Sequence, residues 1–310
     1  MSKRIVVAMG GKAILYKEAS AAAQQQEVIK ICKSIANLIM EGYEVIITHG
    51  NGPQVGNLHL QQRAANSPEN PIFPLDSCVA MTQGSIGYWL QNALSNILHK
   101  LGCDRDVVSL ITQVEVDATD PAFSAPTKPI GPFLSKQKAL QEKEAMGGSY
   151  MEDAGRGWRK VVPSPHPIDI IEKTSIKKLI DNGTIVICCG GGGIPIVKSK
   201  DGYQGVEAVI DKDLVAELLA TELQADTLLI LTGVDNVYVD FGKDTQRALF
   251  QVSSSELRKL ITEGQFSPGS ILPKIEAAIR FTESKKGRRT IITSLKNAGL
   301  IDEGMGTHII

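Results

Sequence analysis

Six short, nearly continuous apolar runs, at residues 5–9, 45–48, 107–111, 185–189, 227–231 and 290–293, constrain this chain more than anything else in it. Each is dense in Val, Ile, Leu and other apolar residues rather than alternating with polar ones, the pattern of a strand covered on both faces. Amphipathic segments at 21–40, 85–100, 168–180, 253–261 and 274–283 separate the runs, and Ser253 followed by Glu256 predicts a capped helix start. Strand alternating with helix over 310 residues predicts an α/β protein: an open, mostly parallel sheet in a three-layer αβα sandwich. No repeat or low-complexity tract interrupts the pattern, so residues 1–310 read as a single domain.

The residues just past the runs point to a ligand. Gly10-Gly11 follows the first, His49-Gly50-Asn51-Gly52 the second, Gly190 to Gly193 the fourth and Thr232-Gly233 the fifth. In parallel α/β sheets ligands bind beyond the carboxyl ends of the strands, and glycine there lets backbone N–H groups approach an anion. Glycine also serves turn geometry alone, but three glycine clusters on three strand ends favour phosphate binding. The usual nucleotide signatures do not fit. Gly50, Gly52 and Gly56 are spaced GxGxxxG rather than GxGxxG, and the stretch 191–199 has Val197 where a Walker A loop needs its second glycine.

Three lysines stand out for their placement. Asp211, Lys212 and Asp213 fall at the start of a helix patterned by Leu214, Val215, Leu218, Leu219 and Leu223. Either aspartate alone reads as an N-cap or first-turn carboxylate, whereas an ammonium there opposes the helix dipole. Pro273 suits the first position of another helix, which puts Lys274 in its first turn with the same conflict. Lys128 is held in Pro126-Thr127-Lys128-Pro129, at the entry to an excursion over about 117–167 with prolines at 121, 126, 129, 132, 163, 165 and 167. The polar middle of that excursion, 135–160, reads as a small protruding lid subdomain inserted within the domain.

Composition excludes several classes. Lys and Arg number 33 against 34 Asp and Glu, for a net charge of -1 without a basic block, so neither nucleic acid nor an anionic membrane is expected as a partner. The run 5–9 is too short for a signal-peptide core, and no stretch approaches the roughly 18 apolar residues of a membrane span, so a cytoplasmic location is expected. The five cysteines form no CxxC pair or zinc-spaced cluster, and no protein metal site is expected. Neither HExxH nor GxSxG appears.

The stretches HGNGPQVGN (49–57), MTQGSIGYWLQNAL (81–94), PTKPIGPF (126–133), EDAGRGWRKVVPSP (152–165), GGGGIP (190–195), GVEAVIDKD (205–213), LTGVD (231–235) and GSILPKIEAAI (269–279) together resemble bacterial carbamate kinases, of the amino-acid kinase fold family, over residues 5–309. The fourth and sixth of these are the most specific. The resemblance implies reversible phosphoryl transfer between carbamoyl phosphate and ADP to give ATP and carbamate, with Mg²⁺ bound mainly through the nucleotide phosphates. It implies a homodimer acting in arginine fermentation by the arginine deiminase pathway. By residue, it implies substrate contacts at Gly10, Gly11, Lys12, Gly50, Asn51 and Gly52, phosphoryl contacts from Lys128, Lys212 and Lys274, and orientation of the lysines by Asp213 with Asp211. Nucleotide contacts are implied at Gly191, Gly192, Thr232, Gly233, Val234, Asp235, Tyr238, Ser270 and Pro273.

The residues agree with that chemistry. The attacking oxygen is an already ionised β-phosphate oxygen, so no general base is needed; positive charge around the transferring group is what the reaction requires. One position departs from the family, which has asparagine where this chain has Lys12. Two readings follow: an active carbamate kinase, or a catalytically impaired nucleotide- and phosphate-binding protein of the same fold. Another acyl-phosphate kinase is disfavoured by the lack of a spare basic cluster for a second substrate carboxylate.

Overall fold

The computed structural model describes residues 3–10, 14, 20–153, 155–268 and 270–310. The chain runs β1 (Arg4–Met9), α1 (Ala21–Met40), β2 (Glu44–His49), α2 (Gly52–Ala64), α3 (Leu75–Lys100), β3 (Val107–Ser109) and β4 (Gln113–Val116). It continues through β5 (Lys128–Leu134), α4 (Lys136–Met146), β6 (Ser149–Glu152), β7 (Trp158–Val162), β8 (Pro167–Ile170), α5 (Lys173–Asp181) and β9 (Ile185–Ile187). Then follow β10 (Ile194–Ser199), β11 (Gly202–Gly205), α6 (Lys212–Glu222), β12 (Thr227–Thr232), β13 (Val237–Val239), β14 (Arg247–Leu249) and β15 (Gln251–Val252). The last elements are α7 (Ser254–Thr262), α8 (Leu272–Glu283), β16 (Arg289–Ser294) and β17 (Thr307–Ile309).

All six apolar runs enter one sheet, of strand order β15-β17-β16-β12-β1-β2-β9-β3. From β16 to β3 every neighbouring pair is parallel. Only β17 runs against its neighbour β16. Successive residues of a strand face opposite sides, and both sides are packed. Val6, Ala8, Leu228, Ile230 and Ile292 meet Val215, Leu219, Leu257, Ile275 and Phe281 of α6, α7 and α8. Ile5, Val7, Ile47, Leu229 and Ile291 meet Val28, Ile35, Ile86, Leu90 and Leu94 of α1 and α3. This is the expected three-layer sandwich. Truncating one of these large side chains to alanine costs about 2–5 kcal/mol.

Several segments differ from their sequence pattern. The run 185–189 is strand only to Ile187, because Cys189 turns into the left-handed region at φ 53° and starts the glycine turn. The helical pattern at 168–180 divides into β8 and the shorter α5. Pro167 explains the change: it cannot start a ladder on two sides, and β8 is the edge strand of a second sheet, β11-β10-β4-β8, where one side is enough. Helix α3 begins at Leu75, ten residues before its clear apolar pattern at 85. The polar stretch 135–160 supplies α4, β6 and the start of β7, and β6 and β7 join β5 in a small antiparallel sheet of order β5-β7-β6. That sheet leans on α2 through glycine: a Cβ on Gly56 would lie 1.9 Å from the Gly131 nitrogen. Among the described residues no helix is long and apolar enough to cross a membrane.

Candidate functional site

Because β2, β1, β12 and β16 are parallel and nearly in register, their carboxyl ends lie along one edge of the sheet. Met9 stands beside His49 and Leu231, and Thr232 beside Ser294. The turns that leave this edge are bonded to one another. Gly50 N donates to Met9 O at 2.8 Å, Thr48 Oγ1 to Cys189 O at 3.1 Å, and Cys189 N to Thr112 Oγ1 at 3.0 Å.

Three elements, α6, α8 and β5, place lysines over this edge. Asp211 caps α6, its Oδ1 accepting from Asp213 N at 2.8 Å, which sets Lys212 as the first helical residue. Lys212 Nζ donates to Asp213 Oδ1 at 2.5 Å, and Lys274 Nζ, from the first turn of α8, donates to Asp213 Oδ2 at 2.7 Å. Lys128, the first residue of β5, pairs with Asp211 Oδ2. Three ammoniums therefore meet two carboxylates, leaving one positive charge in excess at a place where the Asp213 side chain is only 4% exposed. Gly10 lies beneath: a Cβ there would come 3.9 Å from Lys212 Cε.

The electrostatics are those of a charged group forced inside. Burial pushes the Asp213 carboxyl up, but Lys212 and Lys274 outweigh it and hold it below the ordinary carboxylate range. For Asp211, burial is likewise opposed and overcome, chiefly by Lys128. Burial pushes the Lys212 ammonium down, partly offset by Asp213. A buried, imperfectly balanced cluster of this kind contributes little to stability for its cost, whereas an arriving anion neutralises it. His49 is different. Its ring is buried beside the glycine turns, and burial lowers its pKa to about 4, so it stays a neutral imidazole at physiological pH.

The turn 190–193 shows why glycine is required. Gly191 has φ 71°, and a Cβ on it would sit 2.3 Å from Asn51 Nδ2; a Cβ on Gly192 would sit 2.3 Å from Ile210 O. The turn thus fits between the Asn51 amide and the entry to α6. Gly192 N is spent on Cys189 O at 3.0 Å, so Gly192 serves close approach rather than donation.

The structure brings Gly10, Lys128, Asp211, Lys212, Asp213 and Lys274 into one cluster, while Gly191 lies against Asn51, Gly192 against Ile210, and Gly50 bonds to Met9. Gly52 opens α2. Thr232 ends β12 and Gly233, Val234 and Asp235 follow it, while Tyr238 lies in β13; all are outside the ion-pair network, Asp235 pairing with Lys296 at 2.9 Å and the Tyr238 ring lying 6.0 Å from Phe241. Ser270 precedes α8 and Pro273 stands in its first turn. Gly11 and Lys12 lie outside the described residues.

Sequence reasoning missed two buried residues of α3. Gln83 Nε2 donates to Thr112 O at 3.1 Å and Gly190 O at 2.9 Å, while its Oε1 accepts from Thr112 N at 2.9 Å. Thr82 Oγ1 accepts from Asn51 Nδ2 at 2.8 Å. Both belong to the MTQGSIG stretch, but a hydroxyl and an amide inside a helix pattern carry no signal of their own.

Residues 3–294 match the profile of the amino acid kinase family. Carbamate kinase 1 of Enterococcus faecium is 55% identical over 311 residues, covering 100% of this chain and 99% of that protein. Carbamate kinase of Lentilactobacillus hilgardii is 52% identical, covering 100% and 98%. Among solved structures, carbamate kinase from Giardia lamblia bound to citric acid superposes with a TM-score of 0.93 at 42% identity, covering 100% of this chain and 98% of that one. The same Giardia enzyme bound to AMP-PNP gives 0.90 with the same identity and coverage. The α/β sheet with its lysine cluster and these full-length likenesses agree: the chain belongs to the amino acid kinase family and, within it, to the carbamate kinases.

Proposed function

We propose that this chain transfers the phosphoryl group of carbamoyl phosphate to ADP, giving carbamate and ATP, and runs the reverse reaction. The observation that carries the reading is the convergence of Lys128, Lys212 and Lys274, from three separate elements, on Asp211 and Asp213 over the glycine-lined sheet edge. In the reaction a β-phosphate oxygen of ADP attacks phosphorus, the bond from phosphorus to the carbamoyl oxygen breaks, and carbamate leaves with the electron pair. The attacking oxygen is already ionised, so the neutral, buried His49 has no proton to take. What the transition state needs is positive charge around three equatorial oxygens, and ammoniums held in place by carboxylates supply it without reorganising.

In this reading Gly10, Gly50, Asn51 and Gly52 cradle the carbamoyl phosphate, together with Gly11 and Lys12. The nucleotide lies along Gly191, Gly192, Thr232, Gly233, Val234, Asp235, Tyr238, Ser270 and Pro273. Among the described residues no group of three His, Cys, Asp or Glu side chains is arranged to hold a metal, and both site carboxylates are engaged by lysines. That donor set fits a Mg²⁺ carried on the nucleotide phosphates rather than one caged by the protein. Such an ion would neutralise charge between the β- and γ-phosphates.

Segment 117–167 is proposed as a lid: Lys128 and the Gly56–Gly131 approach tie its sheet to the site and to α2. A cytoplasmic homodimer acting in arginine fermentation completes the proposal. The impaired-binder reading is less favoured, since 55% identity to a carbamate kinase spans the whole chain. A coupled assay for ATP formed from carbamoyl phosphate and ADP tests the proposal: turnover that fails with acetyl phosphate is expected, and ADP binding without turnover would establish the impaired binder instead.

A further inference from the structure

Asn51 stands at the N-cap of α2, where an asparagine ordinarily accepts a hydrogen bond from a backbone N–H of the first turn. It makes no such bond. Its carboxamide is turned instead toward α3, and Nδ2 donates to Thr82 Oγ1 at 2.8 Å. The Thr82 hydroxyl hydrogen is already committed to Val79 O at 2.7 Å, so the oxygen presents only lone pairs to Asn51. A flipped amide would set its carbonyl oxygen against those lone pairs. Thr82 therefore selects one of the two amide orientations, nitrogen toward the helix. Both residues are 2% exposed, and the turn above leaves no slack, since a Cβ on Gly191 would touch Nδ2 at 2.3 Å. Gln83, the next residue, pins that turn through Gly190 O.

We propose that Thr82 is a positioning residue for phosphoryl transfer, holding the Asn51 carboxamide in the one orientation that leaves its second N–H and its carbonyl oxygen to the substrate cradle. The inference rests on Asn51 belonging to that cradle. A residue that gives up a local capping bond to be fixed elsewhere marks a place where local stability yields to function.

The test measures kcat and KM for carbamoyl phosphate in Thr82→Val, Thr82→Ser, Asn51→Ala and the Thr82→Val/Asn51→Ala pair. Thr82→Val keeps the shape and loses the acceptor, and is expected to lower kcat roughly tenfold, the scale of one hydrogen bond. Thr82→Ser keeps the hydroxyl and should restore kcat to within about twofold of the parent. The double variant should be no worse than Asn51→Ala alone, because Thr82 acts only through Asn51. Should Thr82→Val fail to fold, Thr82→Ala carries the same expectation. Parental kcat in the hydroxyl-free variants, failure of Thr82→Ser to rescue, or additive losses in the double variant would each overturn the inference while Asn51→Ala remained impaired. Full activity in Asn51→Ala would overturn both this inference and the place of Asn51 in the cradle.

Discussion

Replacing Asp213 by asparagine probes the charge balance of the cluster directly. The side chain accepts from Lys212 at 2.5 Å and Lys274 at 2.7 Å while only 4% exposed. Neutralising it leaves two ammoniums facing a group that answers neither charge, and the local excess rises from one positive charge to two. Breaking a buried pair by removing one partner costs about 3–5 kcal/mol, and since asparagine keeps the shape and one acceptor oxygen, the lower end applies. With about 2–4 °C of Tm per kcal/mol for chains of 150–250 residues, a fall of roughly 5–10 °C is expected here. Pyrophosphate should recover part of it. A ligand at a hundred times its Kd stabilises the folded state by about 2.7 kcal/mol, and the variant, with its lysines unmatched, should gain more from a given concentration than the parent does. Thermal scans of both proteins with and without pyrophosphate read this out. The acid limb gives a second signature. The Asp213 carboxyl is held below the ordinary range, so its stabilisation is complete above about pH 4 and lost as pH falls toward the lower folded value; the variant should lack that loss. An unchanged Tm, or equal pyrophosphate shifts in parent and variant, would refute the reasoning.

Three further outcomes follow. His49 is buried neutral with a pKa lowered to about 4, so the unfolded chain binds its proton first and stability should decline as pH falls from about 6.5 to 4; His49→Gln should make that limb shallower in urea titrations, the remainder belonging to His59, which burial also lowers to about 4, and an unaltered slope would contradict it. Gly56→Ala puts a Cβ 1.9 Å from the Gly131 nitrogen, so the small sheet must shift off α2; KM for carbamoyl phosphate should rise several-fold with the main sheet intact by circular dichroism, whereas unchanged kinetics would show that the sheet does not act as a lid. Lys12→Asn should raise both kcat and KM, since in the proposed cradle an added ammonium would hold the anionic ground state more tightly than the transition state; activity appearing only in that variant would restore the impaired-binder reading.

The central sheet was legible because strands buried on both faces must be apolar throughout, as 5–9 and 227–231 are. The strands without a continuous apolar run were not. Thr307-His308-Ile309 and Gln251-Val252 owe their pairing to neighbours far off in sequence, and Gln113 to Val116 buries only alternate residues. Helix α2 was missed because GPQVGNLHLQQRA buries little beyond Val55 and Gly56. In the site, Lys212 and Lys274 stood out as cations at the wrong end of a helix, a local conflict that sequence displays. The pairing of Lys128 with Asp211, across 83 residues, and the hold of Thr82 on Asn51 arise only when distant turns are folded together.

The most direct test of the lysine cluster as phosphoryl-transfer machinery is the single-turnover rate of transfer from carbamoyl phosphate to saturating ADP in Lys212→Ala. Removing one preorganised charge donor should slow the step by roughly 10² to 10³-fold, in a protein that stays folded and still binds ADP. A folded variant that transfers phosphate at the parental rate would contradict the account.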